Sequence, residues 1–189
     1  MMRNLIIGAA LSAISTSVSA QDFSEGSEAK TWNLYAEVPA TFEATVVDFL
    51  CELTGECAAD CGSGRHQLGL KRIVDDVIVL AIKNNQPAFS GAATDLAPNC
   101  NQVVQVDGLT IKDEDFPVNN IYLVQTIQPV GGEKAKANQF TRKWAERHPD
   151  AAGKGLWFRR DPRINEITSR EGYLGLGLEE DEKYAEDNF

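Results

Sequence analysis

From Thr41 onward, apolar and polar positions alternate in short runs broken by turn residues, the pattern of β-structure. Residues 42–50 (FEATVVDFL) read as a first strand and 66–73 (HQLGLKRI) as a weaker second. Residues 77–83 (VIVLAIK) form a third, the most apolar, ending at the turn signal Asn84-Asn85-Gln86-Pro87. A short helix fits 89–96 before Pro98, and 102–112 (QVVQVDGLTIK) reads as a long fourth strand. Gly108 inside it marks a bulge or a close backbone approach. After a turn at 113–117, residues 120–127 (NIYLVQTI) give a fifth strand.

Strand, strand, strand, short helix, strand, strand is the order of the five-stranded OB barrel, in which the helix plugs one end. Residues 41–127 resemble a small exported OB-fold domain at the level of the fold. The Val-Val-Gln-Val-Asp-Gly-Leu run looks like its fourth strand. The short stretch Cys57-Ala-Ala-Asp-Cys61-Gly resembles a Cys-Ala-x-x-Cys loop that follows the first strand in some exported domains. The resemblance implies a mainly β fold with strands one and four as antiparallel neighbours. It therefore implies that Cys100 bonds to the 51–61 cluster, with Cys51 as the favoured partner and Cys57–Cys61 as the second bridge.

The chain outside 41–132 has a different character. Arg3, an apolar run over 5–14 and the small residues 15–20 make the three parts of a secretory signal, with cleavage expected before Gln21. The apolar run is about half of what a membrane span needs. The next stretch, 21–40, is polar at its start and without period, and reads as a flexible leader. Beyond Gly131-Gly132, residues 133–147 suit a helix with Ala137, Phe140 and Trp144 on one face, stopping at His148-Pro149. The remainder to 189 reads as an irregular aromatic and basic arm with an acidic tail.

Charge is segregated along the chain. Residues 21–133 carry 17 acids and 6 bases, 134–170 carry 4 acids and 10 bases, and 171–189 carry 7 acids and 1 base. The net acidity disfavours nucleic acid and anionic membrane as partners. Against the acidic first part, the basic arm has two readings. It folds back on its own barrel, or Trp144, Trp157, Phe158, Tyr173 and Leu174 with Arg159, Arg160 and Arg163 form a docking strip. Tryptophan, tyrosine and arginine are the residues that anchor interfaces.

The densest chemistry is Cys51, Cys57 and Cys61 with His66 beyond. An even number of cysteines in an exported chain favours two disulfides over free thiols. The alternative is a zinc or copper site built from Cys51, Cys57, Cys61 and His66, although the spacing is not that of a paired zinc motif. Signs of catalysis are few: two histidines, no nucleophile elbow, no phosphate loop, and paired acids (Asp75-Asp76, Asp113-Glu114-Asp115) in turns. A barrel binding oligosaccharide or single strands would need aromatics on strands two and three, and 66–83 contains none. The sequence thus predicts a non-enzymatic periplasmic accessory protein, without a cofactor, whose arm docks on another exported or membrane-complex protein.

Overall fold

The computed structural model describes residues 21–33, 36–83, 92–112 and 120–188. The expected signal segment, the turn at Asn84–Pro87 and the acids Asp113-Glu114-Asp115 lie outside them. Five strands close a barrel: β1 (Glu37–Asp48), β2 (Leu68–Arg72), β3 (Ile78–Ile82), β4 (Val103–Ile111) and β5 (Ile121–Pro129). β1 pairs antiparallel with both β2 and β4, β2 with β3, and β4 with β5. A parallel pairing of Leu80–Ile82 with Ile121–Leu123 then joins β3 to β5 and completes the ring. This is the OB-like topology, with helix α2 (Ala92–Leu96) between β3 and β4 as expected. A two-residue strand, β6 (Ala135–Lys136), extends the sheet along β5 where β3 has left it.

Period-two patterning explains which side chains fill the barrel. Ala40, Phe42, Ala44 and Val46 of β1 are buried, while Thr41, Glu43 and Thr45 between them face outward. They pack with Leu68, Leu70, Val79, Val104, Val106, Tyr122 and Val124, and Leu96 of α2 closes one end. Tyr122 lies in the middle, and its hydroxyl donates to the Ala40 carbonyl at 2.7 Å. Burial pushes its pKa well above the ordinary tyrosine value. At Gly108 the β4–β5 register shifts, and a Cβ there would stand 2.2 Å from the Leu123 carbonyl oxygen. The glycine is both bulge and close approach, because only a bare Cα lets β5 come so near.

Both ends of β1 differ from expectation. β1 begins at Glu37 instead of Phe42. Pro39 sits where β1 has β4 on one side and no β2 on the other, so its missing N–H breaks no ladder. β1 also ends at Asp48, two residues early. The Asp48 carboxylate accepts from the Leu50 and Cys51 amides and starts helix α1 (Phe49–Thr54), which Gly55 ends at φ 77°.

The leader is not free of the barrel. The Phe23 carbonyl accepts from Thr41 N at 2.7 Å, and the Phe23 ring meets Phe42 edge-on at 5.6 Å. Buried Asp107 accepts from Ser27 Oγ and Glu28 N, and Lys30 exchanges hydrogen bonds with the Gln125 side chain. A buried carboxylate on β4 needs donors, and this polar segment supplies them.

The helix expected over 133–147 is shorter. β6 takes its first residues, and α3 runs Gln139–Arg147, stopping before His148-Pro149 as the proline requires. Asp95 of α2 fixes its start by accepting from Gln139 N at 2.9 Å. Nor is the arm irregular: it holds a 3-10 turn at Trp157–Arg159 and two helices, α4 (Pro162–Glu171) and α5 (Leu178–Asn188).

Candidate functional site

The cysteine cluster is built on the loop between β1 and β2. Cys51 bonds to Cys57, and Cys61 bonds to Cys100. The neighbourhood is as expected, since Cys100 joins the 51–61 cluster, but the partner is Cys61 and the second bridge is not Cys57–Cys61. The reason is the early end of β1. Cys100 lies beside Val46 through an isolated parallel bridge, five residues before Cys51. The turn into α1 carries Cys51 away from that point. What returns to it is a hook in which Asp60, Cys61, Gly62 and Ser63 all adopt left-handed conformations, with φ between 47° and 70°. Three of the four are not glycine, a conformation that costs energy and must be held by its surroundings. The buried Cys61–Cys100 bridge provides that hold.

His66 lies flat over the hook, so close that a Cβ on Gly62 would meet its ring at 2.4 Å. Its Nδ1 is 2.7 Å from Asp48 Oδ2. Burial works to raise the Asp48 carboxyl. The bond from His66 and the amides of Cys51 and Leu50 outweigh burial and bring it below the ordinary aspartate value. A carboxylate at this distance requires the proton on Nδ1. With all four sulfurs in disulfides, the thiolate set of the zinc or copper reading does not exist. His66 remains as a packing element tied to the helix cap.

The arm brings most of the sequence-predicted docking residues together, in two roles. Trp144 is only 3% exposed, and its indole N–H donates to Asp161 Oδ2 at 2.6 Å. The other oxygen of Asp161 accepts from the amides of Arg163 and Ile164, capping α4. The indole donor, with those two amides, holds the Asp161 carboxyl below its ordinary value. Trp157 packs against Trp144, Phe140 and Phe158. Arg160 lies over the Trp144 ring at 5.3 Å and donates to the carbonyls of Ala151 and Gly155. Trp144, Trp157 and Arg160 therefore hold the arm together from within.

Phe158, Arg159, Arg163 and Tyr173 stay at or near the surface. Phe158, Arg159 and Tyr173 line a groove of about 330 Å³ with Ile164, Asn165 and Thr168, and Tyr173 is 77% exposed. Leu156, Ile167, Leu174, Leu176 and Leu178 are also exposed. Asp181 orders this loop by accepting from the amides of Leu174 and Leu176. Sequence reasoning missed Ile164, Thr168, Leu176 and the helices that carry them. The signal was Asp161-Pro162, a cap followed by proline at the first helical position, with Ile164 and Ile167 three apart beyond it.

Where α2 meets α3, Asp95 is buried with Oδ1 on Gln139 N; among the described residues Oδ2 has no hydrogen-bond partner. Burial raises its pKa, while the amide and Lys83 oppose the rise. Burial lowers that of Lys83, whose ammonium donates to the Val124 carbonyl.

No protein family, curated protein or solved structure matches this chain. Its fold class, a disulfide-stapled OB-like barrel with a helical arm, rests on its own strand order. Among the described residues no helix is long and apolar enough to cross a membrane.

Proposed function

We propose that this is an exported, non-enzymatic accessory protein of the periplasm, in which the barrel is a rigid base and the arm docks on another protein. The observation that carries this is the unburied apolar surface of the arm. Tyr173, Leu174, Leu176 and Leu178 fall within six residues, and each exposes about half or more of its surface. Large apolar side chains left exposed this close together in a folded chain suit an interaction site. α4 and α5 pack chiefly on each other and on the Trp157–Arg159 turn, so the barrel does not cover it. Two disulfides and the signal-like first twenty residues support export.

The test is a full-length variant with Leu174, Leu176 and Leu178 changed to serine, expressed in its native cell. Proteins that copurify with the wild type should be lost, while the thermal unfolding of the barrel stays the same. An unchanged set of copurifying proteins refutes the proposal.

A further inference from the structure

Export through a signal cut before Gln21 leaves that residue with a free α-amino group. The leader is ordered from its neighbour onward. Asp22 Oδ1 accepts from the Ser24 amide and hydroxyl at 2.9 and 2.7 Å, and the Phe23 carbonyl accepts from Thr41 N on β1 at 2.7 Å. The Phe23 ring meets Phe42 at 5.6 Å and carries the Arg72 guanidinium at 4.5 Å. Gln21 itself is exposed, and among the described residues it has no hydrogen bond or ion pair. It lines a cleft of about 580 Å³ together with Ile73 and Val74, which are both about half exposed. The new end therefore stands at a fixed place on the barrel, with its side-chain amide unoccupied.

A glutamine at a free amino end holds a nucleophile and an electrophile in one residue, at the spacing that closes an unstrained ring. The α-nitrogen, as the free base, attacks its own Cδ. The N–Cδ bond forms, the Cδ–Nε2 bond breaks, and the proton lost by the α-nitrogen leaves with the amide group as ammonia. Nothing is oxidised or reduced, and no second reactant is consumed. The product is a neutral lactam, pyroglutamate, which removes a terminal charge. The surroundings tolerate that loss. Asp22 is already satisfied by Ser24, and Glu25 and Glu43 in the same cleft are exposed, where pairing with an ammonium contributes little. Next to Ile73 and Val74 an ammonium must keep its water, whereas a neutral ring has less to lose.

We infer that Gln21 is a modification site, and that the mature chain begins with a lactam closed between its α-nitrogen and its own side-chain amide, in the cleft that Ile73 and Val74 line. The inference rests on the export reading, because only cleavage before Gln21 frees the nitrogen that attacks. It is independent of what the arm binds.

Mass spectrometry of the full-length gene product, purified after expression in its native cell, tests the inference. Free amines are first blocked by reductive dimethylation of the folded protein, so that no ring can close during digestion. A protease that cuts after glutamate then releases residues 21–25. This peptide should be unlabelled and lighter than its linear sequence by one ammonia, while Gln21→Ala, which cannot cyclise, should carry the label on its α-nitrogen. A linear, dimethylated Gln21 overturns the inference and leaves export standing. Any other first residue overturns it together with the cleavage site, and an unprocessed Met1 overturns it together with export.

Discussion

The barrel and the arm are held together by different means. In the barrel, every strand finds two neighbours in a closed ring, and its centre is filled by side chains with no solvent contact, Val46, Leu68, Leu70, Val104, Val106 and Tyr122 among them. A buried disulfide fixes one end. The arm has no sheet and no comparable core. It depends on Trp144 and Trp157, a carboxylate that serves both the Trp144 indole and a helix cap, and a guanidinium laid across that ring. Helix α5 has 11 residues, none of them buried, and a helix that short is marginal alone in water. The barrel is stable by construction, whereas the arm is ordered by a few contacts and keeps apolar surface in reserve. That division suits a base and a docking element.

The largest effect belongs to the Cys61–Cys100 bridge. It spans 39 residues, so changing both cysteines to serine should remove about 4 kcal/mol through the unfolded chain, beyond any relaxation of the left-handed hook. Urea unfolding followed by intrinsic fluorescence would show it as a lower midpoint for the barrel. A smaller, local effect is expected for Trp144→Phe. It leaves one oxygen of buried Asp161 without its donor, at a cost of about 2 kcal/mol. Proteolysis should then cut the 156–188 region sooner, while barrel unfolding stays where it was. Equal loss in both regions would dissolve the distinction between them.

Next comes the bridge Cys51–Cys57, six residues apart and largely exposed on the α1 side. Its loss should cost no more than about 2 kcal/mol, and limiting thiol reductant should open it before Cys61–Cys100. Alkylation and peptide mapping would give that order.

The smallest effect is on pH dependence. Asp48 and Asp161 have lowered pKa values, so the stability they contribute is present above the unfolded value of 3.8 and is lost as pH falls through their folded values. Asp95 is raised by burial and acts in the opposite sense. Its folded form holds the proton more tightly than the unfolded chain does, so ionisation at neutral pH costs stability, and acidification through the raised value restores it. Wild-type stability should therefore rise slightly on mild acidification before falling below pH 3.8. Asp95→Asn should abolish the rise and leave the fall, as thermal melts across pH would reveal.

How much of this the sequence discloses follows the same division. The barrel is written in alternation: Phe42, Ala44 and Val46 point inward because period two puts them there, and Gly108 is legible because little else explains a glycine within an apolar strand. Cys100 is placeable because strand pairing brings β1 and β4 together. Its partner is not, since the Asp48 cap and a left-handed run at 60–63 redirect the loop, and neither leaves a periodic trace. Pro39 hides the start of β1. The leader has no apolar period because it is attached by one ring, Phe23, and by scattered polar contacts to Asp107 and Gln125. In the arm, α4 has caps but a weak apolar face, and α5 has acids in its first turn and no core face, so composition suggested a tail.

Native-state hydrogen exchange on the purified protein bears most directly on the separation of base and arm. The amides of β1, β4 and β5 should exchange only through global unfolding, and those of α4 and α5 through openings of much lower free energy that leave the barrel intact. If α4 and α5 exchange together with the strands at the same free energy, the arm is part of the barrel's cooperative unit and the account is wrong.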